Sequence, residues 1–435
     1  MDQFLAQGGT GPSVLQLEGL IRTALFRQGA DIVGYLLQAV ADQIDATYQP
    51  CPGESFKGRE TIQCQGLFGS FTLLRSYYYS PVRGGFYPAD AALGLDIGYT
   101  PALVRLANLE GADETSFVKA EKHLRETGGI QMEARQIQRL VQRIGPTAQA
   151  WQQRAYKHGE ENRQAVPIMY VSADSTGVPM RPEELAGRAG KQPDGTAKTR
   201  QAYLGCVFTQ HGTDEKGRPV RDWASTTYIS SMERIDTFGS MLRGEALRRG
   251  LALAGKVVLL IDGAHGLENM GLISFKDAIQ IVDFYHAMEH AGHVLLALLG
   301  SKEHPAYKRR RGEWAKRLLQ NGVEQLIARA REECAGDPRA PAVEKALNYF
   351  VDNVQRMQYR TFRRAGYFIG SGVIEAGCKT VIGGRCKQSG MFWGKPGVEH
   401  ILALRCINAS ARDHAFWQHR LAQLATRNPE APLAA

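Results

Sequence analysis

The sequence predicts an α/β core built on a mixed sheet, broken by an all-helical insertion and preceded by a mainly helical N-terminal region with a small β-element. Three observations carry that expectation. Two apolar runs, 166–173 and 257–261, read as buried central strands and each ends in an acid, Asp174 and Asp262. From residue 165 the period alternates: three strands, a helix, a strand, then a further strand leading into a helix. A block rich in Arg and Lys, 302–365, then reads as helix throughout and separates this core from its last part, 366–412.

Taken in order, residues 13–47 read as a helix with an apolar stripe through Leu15, Leu17, Leu20, Ile21, Ala24 and Leu25, continued by Ile32, Tyr35, Leu36 and Val40. Pro50-Cys51-Pro52-Gly53 breaks it, and 59–87, rich in aromatics between turn residues, reads as strands. Residues 1–100 thus form one region. In 101–164 a helix from Phe117 to Thr127, a Gly128-Gly129 turn and a basic helix from Met132, ending near Gly145-Pro146, follow the order of a helix-turn-helix. Arg135, Arg139 and Arg143 recur at i, i+4 and i+8 on one face of it; a solvated face on a connecting helix fits the pattern equally well. The core begins at 165–301, with strands at 166–174, 203–208, 225–229, 256–262 and 278–284 and helices at 235–254 and 285–299. Residues 413–435 read as a C-terminal tail, disordered at Asn428-Pro429-Glu430-Ala431-Pro432.

The chain has 435 residues, room for roughly two to four domains. It is 43% hydrophobic and 22% charged, ordinary for a globular protein. A net charge of +9 favours a polyanionic partner, nucleic acid before an anionic membrane. No apolar run is long enough to span a bilayer and no signal peptide is evident, so a membrane role is not expected. Seven cysteines, without paired CxxC spacing, point to a reducing cytosol rather than a disulfide framework, and Cys51 and Cys64 give only a weak zinc signal.

The chemistry is expected at Asp174, Asp262 and Glu375. Ligands in open α/β sheets gather at strand carboxyl ends, so two acids there meet although 88 residues apart (262 − 174). Glu375 sits in the first turn of a helix that Ser371 is placed to cap and that Gly383-Gly384 is placed to end. Ile374, Cys378, Val381 and Ile382 make its apolar face, and Lys379 follows the acid at i+4. Converging carboxylates repel, so a shared site needs divalent cations. Oxygen-only ligation selects magnesium, with manganese able to substitute, and disfavours zinc. Two such ions serve in-line phosphodiester displacement. Asp283 with His286 at i+3 reads as a polar pair beside the site or as a helix cap.

These residues resemble a known family. Ser172-Ala173-Asp174-Ser175-Thr176-Gly177-Val178-Pro179-Met180, Ile261-Asp262-Gly263-Ala264-His265, Asp283-Phe284-Tyr285-His286-Ala287-Met288-Glu289-His290 and Gly370-Ser371-Gly372-Val373-Ile374-Glu375, running on to Trp393, are similar to motifs of bacterial insertion-sequence transposases with an RNase H-like DDE core, of the Kra-type (ISKra) group, related to Mutator-like transposases. The resemblance implies a triad of Asp174, Asp262 and Glu375, two magnesium ions, and cutting and joining of DNA ends. It implies terminal inverted repeats and target DNA as partners, a homodimer or higher homo-oligomer on DNA, and a cytoplasmic, nucleoid-associated protein. Asp283, His286 and Lys379 are expected to support the site. Arg309, Arg310 and Arg311, with Arg385 and Lys387, are expected on phosphates, and Trp393 either on a base or in the core. A metal-dependent nuclease without strand transfer, or a domesticated DNA-binding protein with an inactive core, are the rivals.

Overall fold

A computed structural model describes residue 6 and residues 11–154, 165–190, 192, 195–263 and 265–426. The chain divides into one unit of residues 1–147 with 412–435 and a second of residues 148–411.

In the first unit, helix α1 (Gly11–Thr47) buries Ala30, Gly34, Ala41 and Ile44. These lie at helical spacing and pack on a hairpin of β1 (Ser55–Gly66) and β2 (Gly69–Ser80), to which β3 (Gly84–Phe86) is added. A Cβ on Gly34 would come within 2.8 Å of Phe71, so the glycine sets how closely helix and hairpin approach. The core here joins Ala41, Cys64, Phe71, Leu73 and Ala89. The short α2 (Pro88–Ala92) leads to α3 (Pro101–Asp113), α4 (Phe117–Gly128) and α5 (Ala134–Gln153). Ser116 caps α4 by accepting from the Lys119 amide at 3.2 Å, and Gly129, at φ 66°, ends it.

Two sequence expectations fail here for stated reasons. The basic helix does not stop at Gly145-Pro146 but runs through the proline to Gln153. Pro146 removes one backbone donor, yet Ile144, Ala148 and Trp151 are buried and packing outweighs the loss. Residues 413–426 are a helix rather than part of a tail. Phe416 and Trp417 bury their rings, and Arg420 reaches the buried carboxylate of Asp96, which Arg143 also grips. Residues 428–432 lie outside the described residues.

The second unit holds β4 (Ile168–Pro179), β5 (Thr199–Thr213), β6 (Pro219–Arg221), β7 (Thr227–Ser231), α6 (Ile235–Arg248), β8 (Lys256–Ile261), α7 (His265–Ser274), β9 (Ile279–Val282) and α8 (Phe284–Leu299). The sheet runs β5-β4-β8-β9, with β6 and β7 both on the outer edge of β5. β4 and β5, and β5 and β7, are antiparallel, whereas β4, β8 and β9 are parallel. Three antiparallel strands followed by two parallel ones on the far side of the first make this an RNase H-like sheet. The helical insertion supplies α9 (Tyr307–Leu318), α10 (Val323–Glu333), α11 (Ala340–Asn353) and α12 (Tyr359–Arg364). The chain returns in α13 (Gly372–Gly377), a π-helical stretch (Cys378–Gly383), α14 (Gly384–Cys386) and α15 (Lys395–Ala409).

Met169, Val171, Ala173, Leu259 and Ile261 fill the core on one sheet face, beneath Phe238, Leu242 and Ala246 of α6 and Met270 of α7. Strand side chains alternate, so Ser172, Asp174, Leu260 and Asp262 point to the other face. Asp174 does not end its strand as expected. β4 continues to Pro179 because β5 still pairs with it there; what ends near Asp174 is the pairing with β8.

Candidate active site

Register alone sets three acids in a row. Ser172 pairs with Leu260 in the parallel β4–β8 ladder, so Asp174 and Asp262, two residues further along each strand, come side by side. Ile261 pairs with Val282, which puts Asp283 next beyond Asp262. Neighbouring parallel strands lie about 4.8 Å apart, so adjacent carboxylates in this row feel each other's charge. Burial pushes the Asp174 carboxyl above its usual range, and the charge of Asp262 pushes the same way. The Ser175 amide, at 2.6 Å, and the Cys378 thiol hydrogen-bond to it and pull back, and His286 is close enough to act in the same sense.

Asp283 is buried and spends both oxygens on backbone. One accepts the His286 amide at 2.6 Å and caps α8; the other accepts the amide of Ser371. The Phe284 amide also reaches the Ile369 carbonyl at 2.9 Å. The capping reading of Asp283 therefore holds, and the same carboxylate ties down the start of the Glu375 helix.

Ser371 stands at the N-cap of α13, but its hydroxyl makes no capping bond there; its amide, given to Asp283, fixes the helix start instead. Glu375 is in the first turn, exposed, and accepts from Lys379 Nζ at 2.7 Å. Two residues on, a Cβ at Gly377 would stand 2.7 Å from the Tyr228 ring and 3.1 Å from Leu204, so glycine is what lets α13 lie on the sheet. Cys378 follows and touches Asp174. Gly383-Gly384 does not end the helix: the chain widens into π geometry over 378–383 and continues to Cys386. Cys378, Val381 and Ile382 stay buried through that stretch, and Arg405 donates to the carbonyls of Val381 at 2.6 Å and Thr380 at 2.7 Å. π turns of this kind recur at functional sites.

Among the described residues, one set of three ligand-type side chains has all its donor atoms within 4.8 Å of one another: Glu110 of α3, Glu114 in the bend that follows it and His123 of α4, in the first unit. Asp174, Asp262 and Glu375 are not gathered so tightly, since Glu375 faces Lys379. The donor chemistry of the Asp174–Asp262 pair, oxygen only and held in mutual repulsion, nonetheless fits a hard divalent cation such as magnesium.

The expected nucleic-acid contacts divide. Arg135 and Arg139 are exposed, and Arg143 is exposed while paired with Asp96. Arg309 is exposed and bonded to Glu313 at 2.6 Å, and Arg311 is exposed. Arg310 instead turns into a two-pronged pair with Glu333 at 2.5 Å, because α9 packs in the helical insertion with that residue inward. Arg385 is buried, its guanidinium 5.2 Å from the Trp393 ring centre, so neither Arg310 nor Arg385 presents its charge to a phosphate. Trp393 donates Nε1–H to the Cys386 carbonyl at 3.1 Å and bridges to the end of β4, which is a packing role. Lys387 is exposed and reaches the Thr176 hydroxyl, two residues past Asp174.

Sequence reading missed Tyr349 on α11. Its hydroxyl donates to the Asp262 carbonyl at 2.7 Å, and its ring stacks on His290 at 3.5 Å. Gly263 follows at φ 81°, where a Cβ would lie 3.0 Å from that hydroxyl. The positive φ of a strand-end Asp-Gly was the available signal; nothing in the sequence pointed to the tyrosine.

No protein-family model matches the chain, and no curated protein matches it. Among solved structures the chain is similar to the Drosophila P element transposase strand transfer complex, at 12% identity and a TM-score of 0.27, over 78% of this chain and 83% of that one. A likeness at that score adds nothing to the topology already described. No helix among the described residues is long and apolar enough to cross a membrane.

Proposed function

We propose that this chain is a DDE transposase of a bacterial insertion sequence, which cuts DNA at the ends of its element and joins the freed ends to target DNA. The observation that supports the reading is the register that sets Asp174 beside Asp262 on the sheet face where the Glu375 helix lies. Asp174, Asp262 and Glu375 would hold magnesium, and manganese would substitute. A divalent cation bound there supplies the charge that activates the attacking oxygen and stabilises the leaving one.

The residues of the chain do the rest. To hold a cation Glu375 would give up its pair with Lys379, and Lys379, with Lys387 nearby, would then be placed to meet DNA phosphates. Asp283 holds the first turn of α13 in position through the Ser371 amide. The exposed Arg135 and Arg139 supply a basic helix face for duplex DNA, such as the terminal repeats, and binding weakens with salt.

The test is cleavage and joining on DNA carrying the element's ends, with Asp174→Asn, Asp262→Asn and Glu375→Gln. Each should lose about 10³-fold in both steps, as expected when several kcal/mol of charge stabilisation are removed. Full magnesium-dependent cleavage by any of the three would refute the triad. Hydrolysed ends without joined products from the native chain would make it a nuclease, and specific binding without cleavage would make it a non-catalytic DNA-binding protein.

A further inference from the structure

Helix α1 carries two largely apolar stripes, and the described residues of its own unit cover only one. Ala30, Gly34, Leu37, Ala41 and Ile44 recur at spacings of three and four and lie on the β1–β2 hairpin. On the opposite side, Val14, Glu18, Ile21, Leu25, Gln28, Ile32, Tyr35 and Ala39 follow the alternating four-and-three spacing of a coiled-coil seam, and all are exposed. The large apolar members, Val14, Ile21, Leu25, Ile32 and Tyr35, are between 39% and 77% exposed, and Leu36 flanks them.

A helix in this state is short of packing. Over its first half, α1 is held to the rest of its unit by Arg22, which donates to the Thr127 carbonyl at 2.7 Å, and by Phe26, edge-on to Phe68. Helices take most of their stability from burying an amphipathic face. The stripe, with Leu36 and Val40 at its side, offers on the order of 700 Å² of apolar surface, against roughly 800 Å² per partner in a stable interface. Isolated monomers rarely leave that much exposed in one patch.

We infer that this face is covered by the same face of a second copy of the chain, the two α1 helices running antiparallel as a two-stranded coiled coil. The spacing of the seam is symmetric about a midpoint between Phe26 and Arg27. Reversed on itself, it sets Ile21 against Ile32, Val14 against Ala39, Leu25 against Gln28 and Glu18 against Tyr35. Ile21 and Ile32 thus meet at the same level at two places along the seam, and Glu18 is kept away from its own copy, whereas a parallel pairing would set the two Glu18 carboxylates together. Such self-matching is what a two-fold, isologous contact requires. The inference does not depend on the transposase reading, because it concerns the chain without DNA.

The test is the solution mass of the full chain by light scattering. The native chain should run as a dimer of about twice its 48.0 kDa. Leu25→Glu with Ile32→Glu should give a monomer with unchanged circular dichroism, because both side chains point away from the unit's own core. Leu15→Glu, exposed but off the seam, should remain dimeric. The pair Ile21→Cys with Ile32→Cys should form a disulfide-linked dimer under mild oxidation, beyond any background from the native cysteines. Either single cysteine variant should not. A monomeric native chain, or a Leu25/Ile32 variant still dimeric, overturns the interface; cross-linking by Ile21→Cys alone overturns the antiparallel arrangement.

Discussion

The hydroxyl of Tyr349 donates to the main-chain carbonyl of Asp262 at 2.7 Å. This one bond fastens the helical insertion to the strand end that carries the second acid. Tyr349→Phe keeps the ring and its stack on His290 but removes the donor. Losing one such bond costs about 0.5–1.5 kcal/mol, so DNA cleavage should slow by roughly three- to tenfold with the circular dichroism unchanged. A Phe variant as active as the native chain would show that the bond does not position Asp262.

Divalent cation should stabilise the protein through the same strand ends. A ligand at a hundred times its dissociation constant adds about 2.7 kcal/mol, worth several degrees in a domain of this size. Magnesium should therefore raise the melting temperature of the native chain, and EDTA should reverse the rise. In Asp174→Asn the rise should be absent. An equal rise in native and variant protein would place the cation elsewhere, with the Glu110, Glu114 and His123 cluster as the next site to examine.

Gly377 tests the seating of the Glu375 helix. A methyl there would stand 2.7 Å from the Tyr228 ring. Overpacking of this kind costs about 1–3 kcal/mol. Gly377→Ala should lower the melting temperature by several degrees and reduce cleavage further than that loss of folded protein explains, because α13 must lift from the sheet. Unchanged stability and activity would mean that the contact relaxes without moving the acid.

His290 predicts the acid limb of the stability curve. Burial and the neighbouring His286 and His293 hold its pKa down at about 4, below the ordinary 6.5. Between these values the unfolded chain binds the proton and the folded chain does not, so stability is complete above about pH 6.5 and is lost as pH falls toward 4. Thermal melts over that range should show the loss, and His290→Phe, which keeps an aromatic stack on Tyr349, should flatten it. An equally steep acid limb in the variant would assign the loss to other groups.

Much of the core was legible because its chemistry is local. The apolar runs of β4 and β8 and the acids that follow them are visible in the sequence, and the separation of 88 residues between Asp174 and Asp262 is also the register offset of Ser172 and Leu260. What was not legible depended on partners remote in sequence. Arg310 looked like part of a basic run until Glu333 took it, and Arg385 looked like a phosphate contact until Trp393 covered it. Gly383-Gly384 looked like a stop, but Arg405 satisfies the carbonyls just before it and the helix continues. Ser371 looked like a cap, although Asp283 does the holding. The C-terminal helix was missed because what holds it, the buried rings of Phe416 and Trp417 and the pair of Arg420 with Asp96, depends on partners remote in sequence.

Asp283 caps the first turn of α8 and takes the amide of Ser371, which lies 88 residues later. The chain therefore leaves the core and re-enters it at a single carboxylate, and everything between is an excursion whose two ends are already closed. Its length and its helices are open to replacement, much as a surface loop tolerates insertion, provided the new segment still offers a donor to Asp262 where Tyr349 now stands, a cation to Glu268 where Arg356 stands and a ring to Phe284 where Tyr359 stands. A helical bundle grafted between Gly300 and Tyr367 that keeps those three contacts should leave the third acid where it is.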